Sequence, residues 1–267
     1  MYWPAFEFEY RLDMRRLMPY FAALESYQLA ATSRMLPPQW RSQPGESAGE
    51  EPQSGRAAQA RAWVAERFVP GSAPVALEDL LTMHRMVADP ENPECTPGAF
   101  RTLPVQVGRK EVGGLHMGAP AETLGRLMAQ YIRFINSKDS LRLYPALHAL
   151  AAHFFLVTIH PFGDGNGRVS RLLTAGLLAQ RGYNVHGGFY ALSAYFYQRD
   201  IEYHTLLHRC WLNPPPYDLT QFAAFGMEGL LMELKSIDSF IKMKLHRVSD
   251  REMRQRATMR HDRACAD

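Results

Sequence analysis

The stretch LHALAAHFFLVTIHPFGDGNGRVSRLLTAGLL, Leu147 to Leu178, decides the fold. On one side of its centre Leu147, Leu150, Ala151, Phe154 and Val157 recur at steps of three and four. On the other side Val169, Leu172, Leu173, Gly176 and Leu177 do the same. That is the helical period, so two strongly apolar helices are expected, both central to the core. Between them lies His160-Pro161-Phe162-Gly163-Asp164-Gly165-Asn166-Gly167-Arg168, with Arg171 one turn later. Its proline and glycines let the backbone turn sharply and approach a ligand closely.

The second helix begins near Asn166, and its first amides have no intrahelical partner. Together with the helix dipole they favour an anion. Arg168 and Arg171 are three residues apart and therefore neighbours on the helix surface. This is more positive charge than one phosphate needs, so a polyphosphate fits better. Asp164 is out of place among such donors unless it holds Mg²⁺, a hard cation that takes one or two carboxylates plus phosphate oxygens. His160 enters from the preceding helix and is the candidate general base. Taken singly, each residue has a plainer use: a cap or packed histidine, an N-cap aspartate, turn glycines, solvated arginines. Their joint order within twelve residues points instead to transfer from a nucleoside triphosphate to a hydroxyl.

Working outward, the periodicity predicts a helix over 11–32, stopped by Pro37-Pro38, and helices over 57–68 and 76–87. Residues 41–56 are dominated by Gly, Pro, Ser and Glu and read as an exposed loop. A short hairpin is expected around Val105-Gln106-Val107, with Val112 beyond a glycine-containing turn. Helices are expected to resume at 120–136, 144–158, 166–181, 190–211 and 218–245. The arginine-rich tail 246–267 reads as a solvated helix. The fold class is therefore all-α with one hairpin. Three divisions are expected: an N-terminal segment 1–56, a core 57–215 and a C-terminal extension 216–267.

Of 267 residues, 46% are hydrophobic and 21% charged, which excludes wholesale disorder. Thirty Lys and Arg against 27 Asp and Glu give +3, too weak a bias to implicate nucleic acid or an anionic membrane as partner. No apolar run reaches the roughly 18–20 residues that span a bilayer, and the N-terminus has no basic region followed by an apolar one. The three cysteines, Cys95, Cys210 and Cys265, form no CxxC pair, so a reducing, cytoplasmic setting is expected, with export as an effector left open. His153, seven residues before His160, is expected to be packed rather than to hold a metal, and His84, His148 and His204 have no evident constellation.

The string H-P-F-x-D-G-N-G-R-x-x-R at 160–171 resembles the complete active-site motif of the Fic family of adenylyl transferases. GAFRTLPVQVG at 98–108 resembles that family's flap, and LSAYFYQRDIEYHTLL at 192–207 its helix after the catalytic one. Gly167 stands where the phosphotransferase branch has lysine, which favours AMP transfer. The resemblance implies that His160 takes the proton of a target Tyr, Thr or Ser hydroxyl attacking the α-phosphorus of ATP. It implies Mg²⁺ on Asp164, and charge stabilisation by Asn166 and the amides of Gly165 and Gly167. Gly163 lies in the same phosphate-holding loop, and Arg168 and Arg171 are expected to hold the outer phosphates. Tyr195 and Tyr203 would line an adenine pocket or simply pack. The target protein would dock on the 102–117 flap. A catalytically idle scaffold, or a transferase using another phosphate-linked donor, remains an alternative.

The resemblance also marks a departure. Many members carry an inhibitory [S/T]-x-x-x-E-[G/N] helix whose glutamate pairs with the second motif arginine. Aligning Thr32 with its hydroxyl puts Leu36 in place of the glutamate and Pro37 in place of Gly or Asn. Arg171 would then lack that clamp, the activity would be constitutive, and removal of AMP would be absent. Glu46, Glu50 or Glu51, an antitoxin-like inhibitor chain or a second copy of the chain could still supply the acid.

Overall fold

The computed structural model describes residues 3, 6–33, 55–89, 91–93, 95–109, 111, 114–183, 192–213, 215–236, 238–239 and 242–243. Leu36, Pro37, the three loop glutamates, Val112 and the arginine-rich tail lie outside the described residues, and Thr32 sits on the last turn of the first helix.

The molecule is helical, built around α6, Pro145–Ile159. Every residue of α6 from Ala146 to Ile159 is buried. The sequence of this helix is apolar on all sides, so it can be stable only where neighbours surround it. Pro145 occupies its first turn, where a missing amide hydrogen costs nothing. α7, Asn166–Gln180, lies beside it, and α2 (Gly55–Arg67) and α3 (Leu77–Val87) pack on α7. α4, Leu124–Ile135, covers another side of α6 and is followed by the short α5, Lys138–Arg142. Polar groups tie α4 to α6: the Tyr131 hydroxyl donates to Ala152 O at 2.8 Å, and His148 Nε2 donates to Ile135 O at 2.9 Å, while His148 Nδ1 is buried without a partner.

α1 runs Met14–Ser33. The helical pattern read over 190–211 is two described helices, α8 (Ser193–Gln198) and α9 (Asp200–Trp211). Arg199 interrupts them at φ −114°, ψ 38°, outside helical geometry. A last helix, α10, covers 220–236. The hairpin pairs β2, Gln106–Arg109, with β3, Gly114–Met117, antiparallel, Val107 opposite His116. Its second strand thus starts beyond Val112. A second, two-residue pairing was not legible in the sequence: β1 (Tyr10–Arg11) runs parallel to β4 (Tyr217–Asp218). It ties the segment before α1 to the segment before α10.

One apolar cluster takes in residues from Trp3 to Leu234. Phe6 and Phe8 contact Phe155 edge-on at 6.2 and 5.1 Å, and Tyr217 contacts Phe154 at 5.4 Å. Described residues on either side of the expected core, among them Phe6, Leu17, Leu24, Tyr217, Phe222 and Leu234, thus join the same apolar cluster as α6.

Candidate functional site

α6 ends at His160, whose backbone is left-handed (φ 55°, ψ 62°), the one non-glycine residue with positive φ among the described residues. Glycine or asparagine normally takes this position, and another residue costs about 1–3 kcal/mol unless its surroundings hold it there. His160 Nδ1 lies 3.2 Å from Val157 O, which accepts only from a protonated nitrogen, so Nδ1 carries the hydrogen and Nε2 has the free lone pair. Burial, reinforced by Arg101 and His116, lowers the His160 pKa to about 4 against the opposing pull of Asp164 and the Val157 carbonyl. The ring is neutral at physiological pH, in the tautomer a base needs.

After Pro161 the loop bends back and α7 begins. Gly165 is left-handed at φ 76°, a conformation that a side chain there would strain. The first bond within α7 is Val169 N to Gly165 O at 2.9 Å, so the amides of Gly167 and Arg168 lie ahead of it at the positive end of the helix. Asp164 is one-third exposed and accepts from Gly165 N and from Arg168 Nη2, both at 2.6 Å. Each carboxylate oxygen keeps a second lone pair. A single, one-third-exposed carboxylate with spare lone pairs suits a cation that takes most of its ligands from elsewhere, so Asp164 fits Mg²⁺. Among the described residues no cluster of three or more His, Cys, Asp or Glu could enclose a metal without such help. Gly163 lies half-buried in the loop, and a Cβ on Gly167 would come 3.2 Å from Arg171 Nη1, placing that guanidinium against the first turn.

Asn166 is held in the loop by its own side chain. It is 2% exposed, its Oδ1 accepts from Phe162 N at 3.0 Å, and its Nδ2 donates to Phe162 O at 2.8 Å. The amide thereby closes the loop on itself, one Nδ2 hydrogen being used in doing so. The Gly165 amide donates to Asp164 Oδ1 at 2.6 Å. Tyr195 and Tyr203 are both buried. The Tyr203 hydroxyl bonds His153 Nε2 at 2.9 Å, and Arg199 lies over the Tyr195 ring with Nη1 3.1 Å from its hydroxyl. His153 is packed as expected, its Nδ1 3.2 Å from Thr174 Oγ1.

Two residues escaped sequence reading. His84, fully buried on α3, lies with its ring flat on Phe162, centroids 3.9 Å apart. Gly98 N donates to its Nδ1 at 3.0 Å, so its Nε2 carries the hydrogen and donates to Asp164 O at 3.1 Å. Arg101, also buried, donates Nε to His160 O at 2.7 Å. No spacing rule could have found either, because their partners are backbone atoms 80 and 59 residues away.

The fold and site define a class of helical protein in which a histidine-ended helix turns through glycines onto the N-terminus of a second helix. Residues 74–178 match the Fic/DOC family model. The protein adenylyltransferase Fic of Drosophila melanogaster is 40% identical over 109 residues, 41% of this chain and 21% of that protein. That of Culex quinquefasciatus is 39% identical over the same length. The match thus spans about a fifth of these curated relatives, 21% and 20%. A Fic family protein from Desulfovibrio desulfuricans superposes with a TM-score of 0.57 at 19% identity, covering 85% of this chain and 67% of that one. Fic-1 from C. elegans does so at 0.54 and 20%, covering 87% and 73%. The chain thus carries a Fic domain over residues 74–178, and its fold is that of the solved Fic structures.

Proposed function

We propose that the chain is a protein adenylyltransferase, moving AMP from ATP to a hydroxyl of a target protein. The observation that supports this best is the neutral His160, its Nδ1–H held by Val157 and its Nε2 left as acceptor, beside the N-terminus of α7. The names of the relatives over the matched segment agree with it.

In this reading the target hydroxyl gives its proton to His160 Nε2 as its oxygen bonds the α-phosphorus. The bond from that phosphorus to the bridging oxygen breaks, and pyrophosphate leaves with the electron pair. The amides of Gly167 and Arg168 and the guanidinium groups of Arg168 and Arg171 hold the phosphates for in-line attack. Asp164 would hold Mg²⁺, which neutralises phosphate charge when bound. To make room, Arg168 exchanges its carboxylate for phosphate, one strong acceptor for another. The target backbone would pair along an outer edge of the two-stranded β2–β3 sheet.

The test uses α-labelled and γ-labelled ATP with a cell lysate, with His160→Ala alongside. Label should pass to protein from the α position alone and fall by about 100- to 10,000-fold in the variant, the range of a general base. Label from the γ position would make the protein a kinase. No label from either would sink the reading.

A further inference from the structure

We propose that Arg101 is a positioning residue: its guanidinium fastens the backbone of His160 and both legs of the β2–β3 flap to one point, fixing the base relative to a target chain on the flap. The inference rests on the transfer reading above. Arg101 is 6% exposed, and its Nε donates to His160 O and its Nη1 to Leu103 O, each at 2.7 Å. Nη2 donates to Ala119 O, and the Arg101 amide donates to Pro161 O at 3.0 Å. Leu103 and Ala119 flank the hairpin, one on each leg. The second leg is held again by Ala119 N on Ile159 O at 3.0 Å.

Three features make this more than packing. All three side-chain acceptors are backbone carbonyls rather than a carboxylate, so the charge is spent on holding chain segments together. One of them belongs to the residue ending α6, where the helix dipole is negative and a cation is favoured. That residue is also the left-handed histidine, whose backbone needs an outside hold. A rigid planar fork can satisfy three directions at once, which a lysine ammonium on a flexible stem cannot match.

The test compares Arg101→Lys and Arg101→Gln with wild type. The groups acting on the His160 ring are Arg101 and His116, which lower its pKa, and Asp164, which raises it. Losing the Arg101 charge should therefore raise the His160 pKa in Arg101→Gln and not in Arg101→Lys, read by NMR titration of the imidazole, which needs no activity. In transfer assays kcat should fall about 100-fold in both, the scale of a misplaced reacting group. KM for the target should rise, Mg·ATP affinity should stay near wild type, and the acid limb should move up only in Arg101→Gln. Wild-type kcat in Arg101→Lys would overturn the proposal. So would equal losses of nucleotide binding and transfer, or failure of both variants to fold, each meaning a purely structural arginine. Wild-type protein that transfers nothing sinks the transfer reading instead, while the titration still reports Arg101's hold on the ring.

Discussion

At the scale of single residues, the loop from His160 to Arg168 is shaped by side chains bonded to backbone. Asn166 clips Phe162, Asp164 caps Gly165, and His84 joins Asp164 O to Gly98 N. His84 matters because it links the loop to the base of the flap through a buried ring whose pKa burial lowers to about 4. Its two nitrogens can be separated by substitution. In His84→Gln the amide NH₂ lies near the former Nε2 and can still donate to Asp164 O. In His84→Asn the carbonyl lies near Nδ1 and can still accept from Gly98. If the loop bond is the important one, His84→Gln should keep more Mg·ATP affinity than His84→Asn, each losing about 1–3 kcal/mol of stability for the group left unpaired. Calorimetric titration on both variants decides it, and equal affinities would mean that His84 only fills space. His160, Asp164, Arg168 and Arg171 were legible because they lie together in the chain, and a helix start and a glycine turn have sequence signatures. The backbone bonds of Asn166, His84 and Arg101 were not, because no sequence pattern announces a side chain bonded to backbone.

At the scale of elements, α6, α7 and the flap meet at a narrow seam. A Cβ on Gly118 would stand 2.9 Å from Arg101 Nη2 and 3.2 Å from His160 Cβ, with Ile159 O at 3.4 Å. Arg101 is held by three carbonyls and cannot swing aside. Gly118→Ala should therefore push the flap away from α6, costing about 1–3 kcal/mol as an overpacked site, and lower transfer more than Mg·ATP binding. Thermal melts and paired binding and transfer assays check this, and a variant with wild-type transfer would show the seam to be loose. Long helices were legible because repeated apolar steps average out local noise: 144–158 was expected and Pro145–Ile159 is found, 166–181 against Asn166–Gln180. Short elements were not. A five-residue helix such as Lys138–Arg142 holds barely one turn of pattern, and the two-residue pairing of β1 with β4 has no period at all. The break at Arg199 hid for a related reason: its side chain bonds Tyr195 and Glu202 as a helical arginine would, while only its backbone leaves the helix.

At the scale of the whole molecule, α6 is so thoroughly enclosed that its histidines have little choice of charge. His148 and His153 on α6, His160 at its end, His84 on α3 and His116 on β3 all sit where burial, the largest cause in each, disfavours the imidazolium. The first, third, fourth and fifth are lowered to about 4 and His153 to about 3. Unfolding frees them to titrate near the ordinary value of about 6.5. Between those limits the unfolded chain binds protons that the folded chain refuses, so stability rises with pH across that window. The stabilisation is complete above about pH 6.5 and is lost as pH falls towards about 4, with as many as five protons taken up on unfolding. Urea melts should show the midpoint level at and above about pH 7 and falling steeply from about pH 6 to about pH 5, before most carboxylates begin to protonate. His148→Gln should reduce that slope, because its Nε2 can still donate to Ile135 O while one refused proton is removed. A midpoint that stays constant down to about pH 5 would mean that water reaches these rings freely and that the enclosure of α6 is not what sets their charge.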